Sequence, residues 1–188
     1  MKIPKSLKPY ASKRKFKISK EPSPKISKRK KHLPVFVIQK HAATRLHYDL
    51  RLEMDGVLKS WAVPKGPSMN PEDKRLAIQV EDHPHDYKDF EGIIPEGYGA
   101  GKVIIWDQGF YTVDDSDESE KLAMEGLRKG SIHLVFNGKK IKGAFSLVKL
   151  KGREKDWLLI KKKDLFSSTE DITKKDRSVI SRKKIENL

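Results

Sequence analysis

Leu46-His47-Tyr48-Asp49-Leu50-Arg51-Leu52-Glu53-Met54 alternates strictly, and Asp55-Gly56 and the run Val57 to Val63 follow it. Alternation marks a half-buried strand, and a two-residue Asp-Gly between two such runs marks a hairpin. Leu46, Tyr48, Leu50, Leu52 and Met54 then share one face, and His47, Asp49, Arg51 and Glu53 the other. An imidazole, a carboxylate and a guanidinium in a row suit a divalent metal with an anion beside it. The plainer reading of the same spacing is a polar strand face, with His47 and Asp49 hydrogen-bonded to each other.

His41 bears on that choice. In a straight strand it would stand about 20 Å from His47, at roughly 3.3 Å per residue. Both can reach one ion only if the chain turns between them, and Ala42-Ala43-Thr44 are small enough to allow it. The set would then be two imidazoles and a carboxylate, with coordination positions left open.

Composition limits the alternatives. The chain has 188 residues and no cysteine, which excludes a disulfide framework and a thiolate metal site. That length suits one domain with extensions. No apolar run is long enough to span a membrane, and the N-terminus lacks a signal-peptide stretch, so a cytoplasmic protein with no membrane partner is expected. The net charge of +15 is uneven. Residues 1–31 hold 13 Lys/Arg against one acid, Glu21; residues 161–188 hold 9 against 5; residues 32–160 hold 19 against 20. A nearly neutral folded part with basic ends suits a polyanion, bound in a salt-dependent way.

The middle reads as mainly β. Strands are expected at 35–39, 46–54, 57–63, 75–80, 102–106, 110–113, 132–136, 141–150 and 156–161. Hairpin turns are expected at Asp55-Gly56, Asp107-Gln108-Gly109 and Asn137-Gly138. A helix is expected over 119–129, stopped by Gly130. The expectation is a small antiparallel β-barrel of about eight strands flanked by one or two short helices, with a sandwich as the alternative. Three segments follow: a basic N-terminal extension (1–31), the barrel (32–163), and a basic C-terminal tail (164–188), either a short helix or disordered.

Other residues join the candidates. His83 and Tyr87 follow a strand directly, in Glu81-Asp82-His83-Pro84-His85-Asp86-Tyr87, where sites collect. His85 and Asp86 read as solvated. Arg75 opens the strand that leads to His83, so both are expected at one cavity. Lys65, in Pro64-Lys65-Gly66-Pro67, is a phosphate contact or an ordinary surface lysine. The glycine-rich stretch 92–101 lacks the ending of a nucleotide loop and reads as structural. His133 reads as non-catalytic.

Gln39-Lys40-His41 through Arg51, Trp61 to Pro67, Asp82-His83-Pro84 with Tyr87, Phe90 to Pro95 and Tyr98-Gly99-Ala100-Gly101 together resemble the 3′-phosphoesterase domain of DNA ligase D. The resemblance runs from about Leu7 to about Lys163. With no room for a ligase or polymerase domain, a stand-alone member is expected. The resemblance implies a manganese-dependent enzyme on a small β-barrel. It would remove a terminal ribonucleotide from a DNA primer-template and hydrolyse the 3′-phosphate to a 3′-hydroxyl, as a monomer, for a separate ligase and polymerase. It implies metal ligands at His41, His47 and Asp49. Arg51, Lys65, Arg75, His83 and Tyr87 fall on the phosphate site, with Gln39 close by, and Arg14 and Glu21 on an N-terminal element over it. Lys15 departs from the family, which commonly has an acid there, and the departure bears on the ribonuclease-type step. A catalytically inactive DNA-end-binding repair module is the alternative. A metal-independent ribonuclease using His83, His47 and Lys65 would leave His41 and Asp49 without roles.

Overall fold

The computed structural model describes residues 3–16, 18–27 and 33–188. Residues 28–31 of the basic extension, with 1, 2 and 17, lie outside the described residues.

Asp55 and Gly56 both take positive φ, 53° and 71°. This is the two-residue turn whose twist matches a hairpin. It joins β2 (Leu46–Met54) to β3 (Val57–Val63) with Met54 opposite Val57 and Arg51 opposite Ser60. β1 (Val35–Ala42) lies antiparallel on the other side of β2. The remaining strands are β4 (Lys74–Gln79), β5 (His83–Pro84), β6 (Gly92–Ile94), β7 (Gly101–Thr112), β8 (Ser131–Gly138), β9 (Lys142–Lys149) and β10 (Asp156–Lys161). Their order is β1-β2-β3-β4-β10-β9-β8-β7, and β7 pairs back onto β1. The result is a closed barrel of eight antiparallel strands, which excludes the sandwich. β5 and β6 add to its outside, on β3 and β7. The α-helices among the described residues are short: α1 (Lys8–Ser12) and α2 (Ser119–Lys129). Gly130 ends α2 in the left-handed region at φ 81°, the conformation glycine adopts without steric cost.

The apolar face of β2 points inward. Tyr48, Leu50, Leu52 and Met54 join Trp61, Trp106, Phe136, Phe145 and Trp157 in the core. The polar face is therefore on the barrel's outer wall. From Asp49 to Glu53 this face is nonetheless buried, and the N-terminal segment is part of its cover: Tyr10 packs with Leu58, Tyr87, Phe90, Ile94 and Val103 in a second apolar cluster.

Two turn expectations are corrected. Asp107-Gln108-Gly109 is no hairpin: β7 runs through it unbroken from Gly101 to Thr112. Opposite β1 the register slips by one at Trp106, a bulge that bends the strand without ending it. The Asp107 carboxylate is buried and accepts the backbone N–H groups of Lys139, Lys140 and Ile141 at 3.0, 3.1 and 2.7 Å. Those residues form the β8–β9 turn, so Asn137-Gly138 belongs to β8 instead. The tail is neither an α-helix nor disordered. Ile172 enters the barrel core, Val179 packs on Val37 and Ile105, and Trp106 Nε1 donates to the Lys175 carbonyl at 2.8 Å. Isolated apolar residues filling separate hollows leave no period to read.

Candidate metal and phosphate site

The chain turns at residues 43–45, between β1 and β2, and this brings His41 opposite His47. Their ring centroids are 4.7 Å apart. Asp49, one pleat further on the same outer face, lies 3.5 Å from His41 Nδ1 and 3.7 Å from His47 Nε2. One donor atom from each of the three lies within 4.8 Å of the others.

The imidazoles are oriented by the backbone. His41 Nε2 meets the Gly99 carbonyl and His47 Nδ1 the Arg45 carbonyl, both at 2.9 Å. A carbonyl only accepts, so each of these nitrogens carries the proton. The lone pairs of His41 Nδ1 and His47 Nε2 are thus left facing Asp49. A carbonyl behind each imidazole is the usual support of a metal-binding histidine. Burial raises the pKa of Asp49, but the Arg51 charge, joined by His41 and His47 once acid protonates them, outweighs it and holds the carboxyl at about 2. Two imidazoles and an ionised carboxylate fit a divalent transition metal with open positions.

Arg51 is fixed by three partners. Its Nε donates to Gln39 Oε1 at 2.7 Å, Nη1 to Ser60 Oγ at 3.0 Å and Nη2 to Asp49 Oδ2 at 3.1 Å. Gln39 is itself held, donating to the Tyr87 and Phe90 carbonyls. A guanidinium has five N–H donors, so two remain for an anion.

β5 places His83 beside this group. Its Nδ1 meets the Glu81 carbonyl at 2.9 Å and its Nε2 the Arg14 Nη2 at 3.1 Å. Arginine only donates, so Nε2 accepts and the ring is neutral. Burial first, then the Arg51 and Arg14 charges, keep its pKa well below 6.5. Arg14 reaches in from the N-terminal segment and pairs with Glu21 at 3.0 Å and Glu81 at 2.9 Å. Tyr87, on the short 3-10 helix His85–Asp89 after β5, donates its hydroxyl to Glu21 at 3.0 Å. Burial pushes this phenol well above 10.

A cavity of about 180 Å³ joins these groups: Arg14, His41, His47, Asp49, Arg51, His83 and Tyr87 line it, with Gly99 and Tyr98. Gln39 and Glu21 stand behind it, holding Arg51, Arg14 and Tyr87. Lys65 and Arg75 are not brought in. Lys65 is exposed in the turn after β3. Arg75 shares the inward face of β4 with Ala77 and donates to Asp73 at 2.8 Å. The expectation that Arg75 and His83 share one cavity is thereby corrected. The glycine-rich stretch does more than connect strands, since Gly99 and Tyr98 form part of the wall. His85 is not solvated but turns to Glu53 at 3.4 Å, whereas Asp86 is exposed. Ser60 and Glu81 had no assigned place. Ser60 was legible, because the Asp-Gly turn fixes it opposite Arg51.

Fold and site together define a barrel protein able to hold a metal ion against its outer wall. Residues 39–149 match the sequence profile of the DNA Ligase D 3′-phosphoesterase domain, and the chain belongs to that family. It is 51% identical over 164 residues to the multifunctional non-homologous end joining protein LigD of Pseudomonas aeruginosa, covering 85% of this chain and 19% of that protein. It is 44% identical over 156 residues to the protein of the same name from Mycolicibacterium smegmatis, covering 82% and 20%. The chain thus spans about a fifth of the length of these relatives. No helix among the described residues is long and apolar enough to cross a membrane.

Proposed function

We propose that the chain is a metal-dependent phosphoesterase that heals DNA 3′ ends, removing a terminal ribonucleotide or a 3′-phosphate to leave a 3′-hydroxyl. One observation carries this reading: two oriented imidazole lone pairs and the Asp49 carboxylate converge beside an Arg51 with two donors to spare. His41, His47 and Asp49 hold the ion in this reading, with manganese as the cofactor. When bound, a divalent cation offsets phosphate charge and lowers the pKa of a water.

The chain's own residues do the rest. The free N–H groups of Arg51 bind non-bridging phosphate oxygens and offset charge that opposes attack by water. His83 is neutral where its Nε2 accepts from Arg14. A phosphate dianion arriving between it and Arg14 favours the imidazolium. His83 then gives its proton to the 3′-oxygen as water bonds to phosphorus and the phosphorus–3′-oxygen bond breaks. Tyr87 and Glu21 hold Arg14 in place, and Gln39 holds Arg51. Lys65 and Arg75 carry no step. Lys15, where the family commonly has an acid, pairs instead with Glu96 at 2.8 Å, so ribonucleotide removal is expected to be the slower of the two activities. The relatives are named for non-homologous end joining. By that likeness this chain prepares ends for joining.

The test is a primer-template with a 3′-phosphate, incubated with manganese or with chelator. Phosphate release with manganese alone supports the reading. Release that ignores the chelator contradicts it, and tight binding with no release makes the chain an inactive end-binding module.

A further inference from the structure

Three hollows run together along one side of the barrel. The metal cavity shares Val80, Glu81 and Tyr98 with a second hollow of about 630 Å³, and this shares Lys149 and Glu154 with a third of about 520 Å³. Tyr98 stands at the first junction, half exposed, with Lys13 Nζ 4.3 Å from its ring centroid. Beyond it the floor changes character. Arg128 and Lys129 end α2, Lys149 ends β9, and Lys151, Arg153 and Lys155 lie on the turn into β10. All six are exposed, and their one acidic neighbour along these two hollows besides Glu81 is Glu154. Glu81 is already engaged by Lys13 and Arg14.

This is segregation, not scatter. Residues 32–160 carry a net charge of −1, from 19 Lys/Arg and 20 Asp/Glu. Six cations and Glu154 put +5 on this strip, which leaves −6 on the rest of that segment. β4, β10, β9 and β8 are successive neighbours, so the strip crosses three strand spacings, about 14 Å at ~4.8 Å each. A duplex advances about 3.4 Å per base pair, so the strip spans roughly four base pairs of backbone.

We propose that this strip, from Tyr98 at the cavity mouth over the β9–β10 turn to the C-terminal end of α2, binds the phosphate backbone of the DNA duplex whose 3′ end enters the metal cavity. The inference rests on the phosphoesterase reading for the direction of the DNA. The charge of the strip stands independently of it. Backbone contacts of this kind position a substrate without reading its sequence.

The test compares the full chain with its triple variant Lys151→Glu/Arg153→Glu/Lys155→Glu. A control, Lys142→Glu/Lys163→Glu/Lys183→Glu, makes the same charge change at exposed positions off the strip. Binding of a fluorescent 3′-hydroxyl primer-template is followed by anisotropy against salt without manganese. Hydrolysis of a 3′-phosphate dinucleotide is measured with manganese. The strip variant is expected to bind the duplex at least tenfold more weakly and to lose about three from the log–log salt slope. Its turnover of the dinucleotide should equal wild type, and the control should bind within about twofold of wild type. Wild-type duplex affinity in the strip variant overturns the proposal. So does an equal loss in the control, or an equal loss on the dinucleotide. Should wild type bind the duplex but hydrolyse neither the dinucleotide nor a 3′-phosphate primer-template, the phosphoesterase reading fails, while the anisotropy still decides the strip.

Discussion

Arg51 and Asp49 stand two residues apart on one outward strand face, and the Arg51 guanidinium donates to the Asp49 carboxylate at 3.1 Å while both are buried. The same carboxylate faces the two imidazoles, so one residue joins the metal half of the site to the phosphate half.

This joint lets the phosphate half be tested apart from the metal half. Lysine in place of Arg51 keeps the charge but loses the fork that holds Gln39, Ser60 and Asp49 together. Arg51→Lys should lower turnover of a 3′-phosphate primer-template by 10-fold or more while manganese affinity stays within a few fold. Metal titration beside phosphate release checks it. A variant that turns over like wild type would show that Arg51 is not the anion clamp.

The buried neutral His83 makes metal-free stability depend on pH. Its folded pKa lies below its ordinary 6.5, so between the two values the unfolded chain binds the extra proton. Stability therefore rises as pH climbs toward 6.5 and falls below it. Urea unfolding from pH 5 to 8 should show this slope in wild type and a shallower one in His83→Gln. Identical slopes would mean His83 titrates normally. Asp49 acts at the other end: with its pKa lowered from 3.8 to about 2, it contributes about 2 kcal/mol above pH 3.8, lost as pH falls through about 2.

Gly101 lies at φ 148°, and a Cβ there would meet the Ala42 carbonyl oxygen at 2.3 Å. Both β1 and β7 would have to give, next to His41. Gly101→Ala should cost more than about 1 kcal/mol, read by denaturant unfolding, and should weaken manganese binding too. Unchanged stability would mean that the strand pair is not held this tightly.

How much of this was written in the sequence depends on the scale of the signal. The 46–54 alternation and the Asp55-Gly56 turn are local, so the barrel's central hairpin and its inward and outward faces could be read directly. Asp107-Gln108-Gly109 misled because its composition is that of a turn, whereas the buried Asp107 carboxylate serves a turn some 30 residues on. Arg75 misled because order along a strand says nothing of which face looks into a cavity, and Ala77 fixes that face inward. The packing of Tyr10 and Arg14 over the outer wall, and of Ile172 into the core, joins distant segments and leaves no period. The family resemblance located the N-terminal element, but the contacts of Arg14 with Glu21, Glu81 and His83 became visible only in the fold.

The central claim is that His41, His47 and Asp49 hold one metal ion on which phosphate release depends. The direct measurement is a manganese titration of wild type and His47→Ala, following bound metal and phosphate release from a 3′-phosphate primer-template in the same samples. The account predicts one manganese per wild-type chain, release rising along the binding curve, and neither binding nor release in the variant. Full release by His47→Ala, or wild-type release that does not follow bound manganese, would contradict it.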